Sequence, residues 1–289
     1  METLIRLGFA LGIFALMISW EIISPRRQQA PDRKHRWTIN LGLAVFNMLI
    51  VRVTVGSLAY LSAVYAGSHG IGLLNLVAMP TWLTIIITLL LLDFAIYCQH
   101  IVAHRWVWLW RLHQVHHTDI AFDASTAVRF HPLEIIISLF YKVLCIYLIG
   151  ANPMAVVVFE IILNGAAIFN HSNISLSPFL DKIIRTVLVT PDMHRIHHST
   201  EPSEFNSNYG FCLSCWDKLC TTYTAESKQP QTTMDIGLKP YREPQTLGFI
   251  ALLLMPFGSE LNQLSKLMTA LKAKITGLIH RLPFKALRR

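Results

Sequence analysis

Apolar stretches long enough to cross a lipid bilayer constrain the fold of this chain more than any other feature. Residues 3 to 24 form the first stretch, which lacks the small-residue cleavage site of a secretory signal. Further stretches lie at about 39 to 64, 74 to 97, 133 to 149 and 153 to 170. With 53% hydrophobic and 15% charged residues, the chain is far more apolar than a soluble domain. We therefore predict an all-α integral membrane protein with four to five membrane-embedded helices.

Basic residues after the first stretch predict the orientation of the chain. The loop contains Arg26, Arg27, Arg33, Lys34 and Arg36. By the positive-inside rule this loop is cytoplasmic and the N-terminus lies outside. The next two spans then go out and return, which delivers the segment after residue 97 to the cytoplasmic face.

The sequence predicts three regions. Residues 1–98 form N-terminal transmembrane helices, and residues 99–245 form a catalytic region that includes a membrane hairpin at 133–170. Gly150, Asn152 and Pro153 interrupt this hairpin. The more polar part from 172 to 245 is expected to form a helical cap on the cytoplasmic face. Residues 246–289 are expected to form a short interfacial or packed helix, at 247–257, and a basic tail.

Charge and cysteine content exclude other classes of protein. The net charge is +8, but the basic residues flank apolar spans and the C-terminus, where anionic membrane lipids are the simpler partner than nucleic acid. Five cysteines in so long and apolar a chain do not suggest a disulfide framework, and we expect them to be reduced. Cys212 and Cys215 with Cys220 lack a fourth zinc ligand in an ordinary spacing, so packing roles are favoured.

Eight of the thirteen histidines lie in two short windows of the sequence, five in residues 100–117 and three in residues 194–198. In the segment LLDFAIYCQHIVAH, a helix places four polar side chains on one stripe: Asp93, Tyr97, His100 and His104. Two imidazoles one turn apart can bind one metal ion. For this pair alone, helix-end histidines with Asp93 and Tyr97 as interhelical hydrogen-bonding residues are an equally good interpretation.

Two further clusters repeat one spacing. His113, His116 and His117 in WRLHQVHH have the same H-x-x-H-H pattern as His194, His197 and His198 in MHRIHH. Helical geometry lets one histidine of an adjacent pair turn toward a second ion. Imidazole suits zinc, copper, iron or nickel, so ligand type alone does not select the metal. Eight histidines can nonetheless fill most of two coordination spheres and leave room for O₂ and substrate, which favours two irons.

These motifs resemble the fatty acid hydroxylase and sterol desaturase superfamily of membrane di-iron oxygenases. The resemblance covers residues 93 to 223 and includes the histidine boxes HIVAH, HQVHH and HRIHH, with RFHPLE, FNHSN, TPDMH, NSNYG and WDKLCTTY. It departs at Cys220-Thr221, where related chains commonly have Phe-Gly.

The resemblance implies a set of site residues. It makes the eight box histidines metal ligands and adds His131 and His171, which gives five ligands per iron. Each of these two histidines also has an alternative to metal binding. His131 could lie at a helix N-terminus before Pro132, and His171 could form a hydrogen bond at a helix end. The resemblance also implies residues that do not bind the metal but hydrogen-bond to the imidazoles and orient them, namely Asp93, Tyr97, Asp119, Asp192 and Asn208.

The resemblance also implies the chemistry. Two iron ions would use O₂ and electrons from a separate electron-transfer protein to hydroxylate or desaturate a C–H bond of a lipid, such as a sterol, a fatty acyl chain or an ether lipid. The histidine boxes would face the cytoplasm.

Two other functions are possible from the residues alone. A membrane metal transporter would place its site nearer the bilayer midplane. A zinc-dependent membrane hydrolase would place a glutamate beside its ligands, as in H-E-x-x-H, and no histidine cluster contains one.

Overall fold

The structure is a computed structural model that describes residues 2–30, 32–54, 57–242 and 247–258. The first seven helices are α1 (Glu2–Ile23), α2 (Arg33–Thr54), α3 (Leu58–Ser68), α4 (Thr81–Arg105), α5 (Val107–His117), α6 (Pro132–Ile149) and α7 (Pro153–His171). Shorter helices follow: α8 (Pro178–Ile184), α9 (Pro191–His197), α10 (Pro202–Phe205), α11 (Cys215–Leu219) and α12 (Phe249–Leu254). The basic tail predicted after residue 258 lies outside the described residues.

In the part of the chain that the structure describes, four helices are long and apolar enough to cross a membrane, namely Leu4–Ile23 of α1 and the whole of α4, α6 and α7. β structure in the described residues is limited to three isolated bridges. The predicted all-α membrane fold is therefore confirmed, and these spans correspond to four of the five predicted stretches.

The predicted span from 39 to 64 is wrong as a single helix. The chain instead forms α2 and α3 on either side of a short connection. The α2 helix begins in the basic segment RKHR and buries Arg36, Asn40 and Asn47 among other polar groups. Such a helix packs against protein on its polar side, so it lacks the uniform apolar surface of a span.

The α4 helix differs in register from its prediction. It begins at Thr81, after Pro80 at the N-cap, instead of at residue 74. Pro80 has no N–H and restricts the residue before it, so a helix cannot run smoothly through this position. At its other end α4 continues to Arg105, which places both His100 and His104 within the helix.

The α6–α7 hairpin forms as predicted at a compact turn. Gly150 ends α6 with a left-handed φ of 71°, and the Asn152 side chain accepts hydrogen bonds from Met154 N and Ala155 N at the start of α7. A Cβ atom at Gly72 would lie 2.2 Å from Gly150 N, so this close approach requires glycine.

Apolar packing brings the ends of the long helices together at one side. The residues of the main apolar core come from α3, α4, α6 and α7 and include Leu92, Ile146 and Phe159. A second cluster packs Met17 of α1 against Ile168 of α7. Arg6, earlier in α1, pairs with Glu160, earlier in α7. Because residue numbers increase together along both helices, α1 and α7 run in the same direction. The C-terminal ends of α1 and α7 therefore lie on the same side as the histidines.

Buried carboxylates attach the polar cap to these helices. Asp93 of α4 accepts hydrogen bonds from Leu213 N at 3.1 Å and Trp216 Nε1 at 2.8 Å. Asp217 accepts from the backbone N–H groups of Tyr209 and Gly210. Burial raises the pKa of Asp217 to about 6 despite these hydrogen bonds. The cap segment from 207 to 217 is thereby fixed against α4.

An ion cluster joins three helices within the predicted hydrocarbon region. Glu160 of α7 pairs with Lys142 of α6 at 2.6 Å and also with Arg6 of α1. We expect Glu160→Leu to lower the free energy of unfolding by about 3–5 kcal/mol, because it leaves both cations without this carboxylate. Lys142→Met retains the pair with Arg6 and should cost less. Unfolding in mixed detergent micelles checks this, and equal losses in the two variants would contradict it.

Candidate metal centre

Nine buried histidines converge at one end of the helix bundle. They come from the last two turns of α4, α5, α7 and α9, with His198 at the C-cap of α9. The α9 helix is only seven residues long, and its start is fixed by Thr190, whose side chain accepts a hydrogen bond from Met193 N, and by Pro191 at the first helical position. Short capped helices thus place imidazoles from distant parts of the chain side by side.

The nine side chains form two groups. The first group contains His100, His104, His113, His117 and His197, and the second contains His116, His171, His194 and His198. Each H-x-x-H-H cluster contributes to both groups, since the adjacent pairs at 116–117 and 197–198 divide between them. The rings of His117 and His198 stack at a centroid distance of 4.4 Å, so the two groups are neighbours.

The donor geometry fits transition metal ions. Within each group, one nitrogen from every histidine lies within 4.8 Å of all the others. A coordination sphere with metal–nitrogen bonds of about 2.1 Å has a diameter of about 4.2 Å. In the second group, His171 Nε2 lies 3.0 Å from both His116 Nε2 and His194 Nε2, which is the separation of two ligands at right angles in such a sphere.

Several of these nitrogens are buried without a hydrogen-bond partner. They include Nε2 of His100, His113, His117 and His197, and both ring nitrogens of His104 and His198. A buried polar atom without a partner costs free energy, and so many in one place indicate a ligand that binds them. These residues therefore fit a pair of metal ions.

Burial also keeps the imidazoles in the form that binds metal. For His116, His117, His194 and His198, burial and then the neighbouring imidazoles lower the pKa well below its ordinary value. Burial lowers the pKa of His197 to about 3, although its hydrogen bond to the Ser207 carbonyl acts in the opposite direction. The rings are neutral near pH 7 and their lone pairs are available.

Outer hydrogen bonds fix the tautomer of four histidines. His100 Nδ1 donates to the Tyr209 carbonyl at 2.8 Å, and His197 Nδ1 donates to the Ser207 carbonyl at 2.7 Å. His171 Nδ1 donates to the Ala167 carbonyl at 2.7 Å. In each case Nε2 is left to face the centre of its group, which is the usual arrangement around a metal-binding histidine.

Glu134 accepts the fourth hydrogen bond that orients a histidine. It is the last residue of the RFHPLE motif, and no role for it was predicted from the sequence. Its Oε1 accepts a hydrogen bond from His113 Nδ1 at 2.6 Å. We expect Glu134→Ala to reduce metal affinity or activity by about 10–100-fold. Glu134→Gln retains an oxygen acceptor and should lose less. Metal titration of the apoprotein measures the difference, and an Ala variant with the affinity of the parent would contradict it.

His131 does not join either group of histidines. Its Nδ1 accepts a hydrogen bond from Leu133 N at 3.1 Å, so the side chain is the N-cap of α6. Its Nε2 donates to the Leu253 carbonyl of α12 at 3.2 Å. The resemblance implied five ligands per iron, whereas the structure brings together groups of five and four.

The five residues implied to orient imidazoles form their hydrogen bonds elsewhere. Asp93 holds the cap, as described above, and Tyr97 OH bonds to Thr222 Oγ1 at 2.8 Å. Asp192 accepts from Arg26, and the Asn208 side chain donates to the carbonyls of Met193 and Thr224. These hydrogen bonds hold the segments that carry the histidines in place.

Asp119 belongs to a buried ion network just after the HQVHH segment at the end of α5. It accepts hydrogen bonds from Arg36 Nε at 2.6 Å, Asn40 and Thr126. Burial alone would raise its pKa, but the Arg36 guanidinium holds the pKa of Asp119 well below its usual range. The charge pair fixes the loop between α5 and α6 against α2.

A cavity of about 310 Å³ opens beside the first histidine group. It is lined mainly by small and apolar residues of α2, α4, α6 and α7, and His100 and His113 form part of its wall. Gln99, Ser138 and Asn164 add a few polar groups. This size and composition are typical of a site for an apolar ligand.

Four helices of spanning length and two groups of buried imidazoles define the class of histidine-cluster membrane metalloproteins. Residues 85–222 match the fatty acid hydroxylase family, which confirms the resemblance that the sequence motifs predicted. Every one of the nine histidines lies within the matched residues.

Three similar proteins are named as a hydroxylase or a monooxygenase. The chain is 28% identical over 179 residues to the ornithine lipid hydroxylase OlsE of Rhizobium tropici, which covers 62% of this chain and 51% of the relative. It is 31% identical over 141 residues to human alkylglycerol monooxygenase, covering 47% of this chain and 30% of the relative. With cholesterol 25-hydroxylase of Rattus norvegicus the identity is 27% over 139 residues, covering 48% and 46%. The chain thus spans about half the length of these relatives, or less. No solved structure matches it.

Proposed function

We propose that this protein hydroxylates a C–H bond of a membrane lipid, with O₂ as co-substrate and two iron ions held by the nine clustered histidines. The observation that carries the proposal is the pair of buried imidazole groups beside an apolar cavity at the ends of membrane-spanning helices. The names of the three relatives, which describe lipid hydroxylases and monooxygenases, support it.

The donor set supports iron at this centre. Both groups consist of histidine alone, and neutral imidazole is a ligand for iron among the transition metals. Five donors in one group and four in the other would leave open positions on two ions. When bound, the iron pair would supply the means of reducing O₂ to an oxidant that breaks an unactivated C–H bond.

The residues of the chain would perform the positioning. The apolar walls formed by Ile96, Ala103 and Ile135 exclude water and hold a hydrocarbon chain beside His100 and His113. The polar groups of Gln99, Ser138 and Asn164 can orient a substrate that carries its own polar atom. Because the cavity lies between helices, a lipid can enter it sideways from the bilayer.

The proposal includes a separate electron donor and a cytoplasmic position for the metal centre. Hydroxylation with O₂ consumes two electrons and two protons and releases water, so a separate electron-transfer protein has to deliver the electrons. The basic segment from Arg26 to Arg36 follows α1 on the same side as the metal centre, and the positive-inside rule places that side in the cytoplasm. Arg26 and Arg36 pair with Asp192 and Asp119, so the exposed Lys34 is the residue of this segment that would attract an acidic electron donor.

Isotopically heavy O₂ tests this function directly. Membranes that contain the protein are incubated with a reductant system under heavy O₂, and their lipids are analysed by mass spectrometry. We expect a lipid that gains one heavy oxygen atom in the presence of the parent protein and does not gain it with His113→Ala. Oxygen incorporation that is identical in the two samples, or that comes from water, would overturn the proposal.

A further inference from the structure

One apolar surface of the cap lies outside the four candidate spans. It comprises six exposed side chains on α8, on the turn that follows and on α11: Phe179, Leu180, Ile183, Val187, Leu188 and Leu219. We call it the α8 surface. Phe179 is 71% exposed and Leu219 is 72% exposed, which is unusual for residues of a polar cap. Apolar patches of this kind mark contacts with another protein or with a membrane.

The position of α8 relates this surface to the bilayer. Ile184, on the inner side of α8, packs against the apolar cluster that contains Met17 of α1 and Ile168 of α7. After α7 the chain pairs in an antiparallel sense with the segment that follows α1, since Arg26 N donates to the Asn173 carbonyl and Ser175 N donates to the Ser24 carbonyl. The chain therefore runs back along the end of α1, and α8 begins beside the last turn of that span.

Charged and polar groups border the α8 surface on one side. Lys182 is exposed on α8 itself. Lys218 Nζ donates to the carbonyls of Arg185 and Thr186 at 2.8 and 3.1 Å, which fixes α11 beside the end of α8. Apolar side chains with lysines at their edge are typical of a helix that lies in the membrane interface, where the cations meet anionic headgroups.

From these contacts we infer that the α8 surface inserts into the membrane interface. The cap, which the sequence predicts to lie on the cytoplasmic face, is then partly immersed in the bilayer. The occupant of the surface is the acyl region of membrane lipid, because the surface continues the lipid-facing sides of α1 and α7 at the same depth. The next helix after α8 is α9, which begins at Pro191 and carries His194 and His197. Insertion would therefore fix the height of the metal centre, so that a lipid can reach it without leaving the bilayer.

Spin labels measure the depth of this surface without any need for metal or activity. Cysteines for labelling are introduced by Phe179→Cys, Ile183→Cys and Val187→Cys in a background in which serine replaces Cys98, Cys215 and Cys220, the native cysteines that are not buried. The proteins are placed in nanodiscs of phosphatidylcholine and phosphatidylglycerol, with one chain per disc. Leu16→Cys on the exposed side of α1 is the hydrocarbon reference, and Thr232→Cys, exposed in the polar cap, is the aqueous reference.

We expect the ratio of oxygen collisions to nickel-complex collisions at the three α8 positions to be several-fold higher than at residue 232 and to approach that at residue 16. Ratios equal to that at residue 232 would overturn the inference. Low collision rates with both reagents would also overturn it, because they would show that protein covers the surface. Three label positions keep the test decisive if one variant fails to fold, and none of these results depends on the proposed enzymatic activity.

Discussion

Replacing one histidine in either group is expected to abolish hydroxylation and to remove metal from that group. His113→Ala deletes a donor of the first group and His194→Ala deletes one of the second, so each variant should retain about one metal ion where the parent holds two. Loss of an outer hydrogen-bonding residue alone commonly costs about 10–100-fold in metal affinity or activity, and loss of a direct ligand should cost more. Metal analysis and lipid turnover on the same samples measure both effects.

His131→Asn is the matched control for these variants. His131 lies outside both groups, and asparagine can replace its side chain as the N-cap of α6. We expect this variant to keep the metal content of the parent. Loss of a metal ion from His131→Asn, with His194→Ala unaffected, would show that the ligands are not the nine histidines that the structure brings together.

Filling the cavity should stop lipid turnover while leaving the metal ions in place. Ile135 lines the cavity on α6, and Ile135→Trp would occupy much of its volume of about 310 Å³. A displacement of substrate by about 1 Å can cost about 10²-fold in rate, so we expect a loss of at least this size in lipid hydroxylation.

The control for the cavity is two residues away on the same helix. Ile137 is 40% exposed on the outside of α6, so Ile137→Trp adds the same ring to the lipid-facing surface. This variant should retain the turnover of the parent. If Ile135→Trp hydroxylates lipid as fast as Ile137→Trp, the substrate does not use this cavity.

The sequence predicted the long helices and the helical histidine spacing because both follow from local rules. Apolar runs of spanning length and turn residues such as Gly150 and Pro153 are direct signals, and the predicted hairpin formed between them. The polar side of α2 was missed because hydropathy averages over buried polar residues such as Asn40 and Asn47. Their amide groups donate to partners distant in sequence, which include Asp119 and the Phe130 carbonyl.

The layer around the metal centre was less predictable than the histidines. Three of its hydrogen bonds end on backbone carbonyls, those of Tyr209, Ser207 and Ala167, and a backbone acceptor leaves no trace in side-chain identity. Glu134 could have been noticed, since it lies three residues after His131 near the start of α6, but its distance to His113 depends on how α5 and α6 pack. The family resemblance pointed instead to Asp119 and Asp192, whose hydrogen bonds go to other groups.

The central claim is tested most directly by the metal content of the parent protein after anaerobic purification in detergent, measured together with its O₂ consumption in the presence of reductant. Our account predicts about two irons per chain, with O₂ uptake that depends on them. One zinc per chain, or no metal, with no O₂ uptake, would contradict the assignment of the two histidine groups to a di-iron oxygenase.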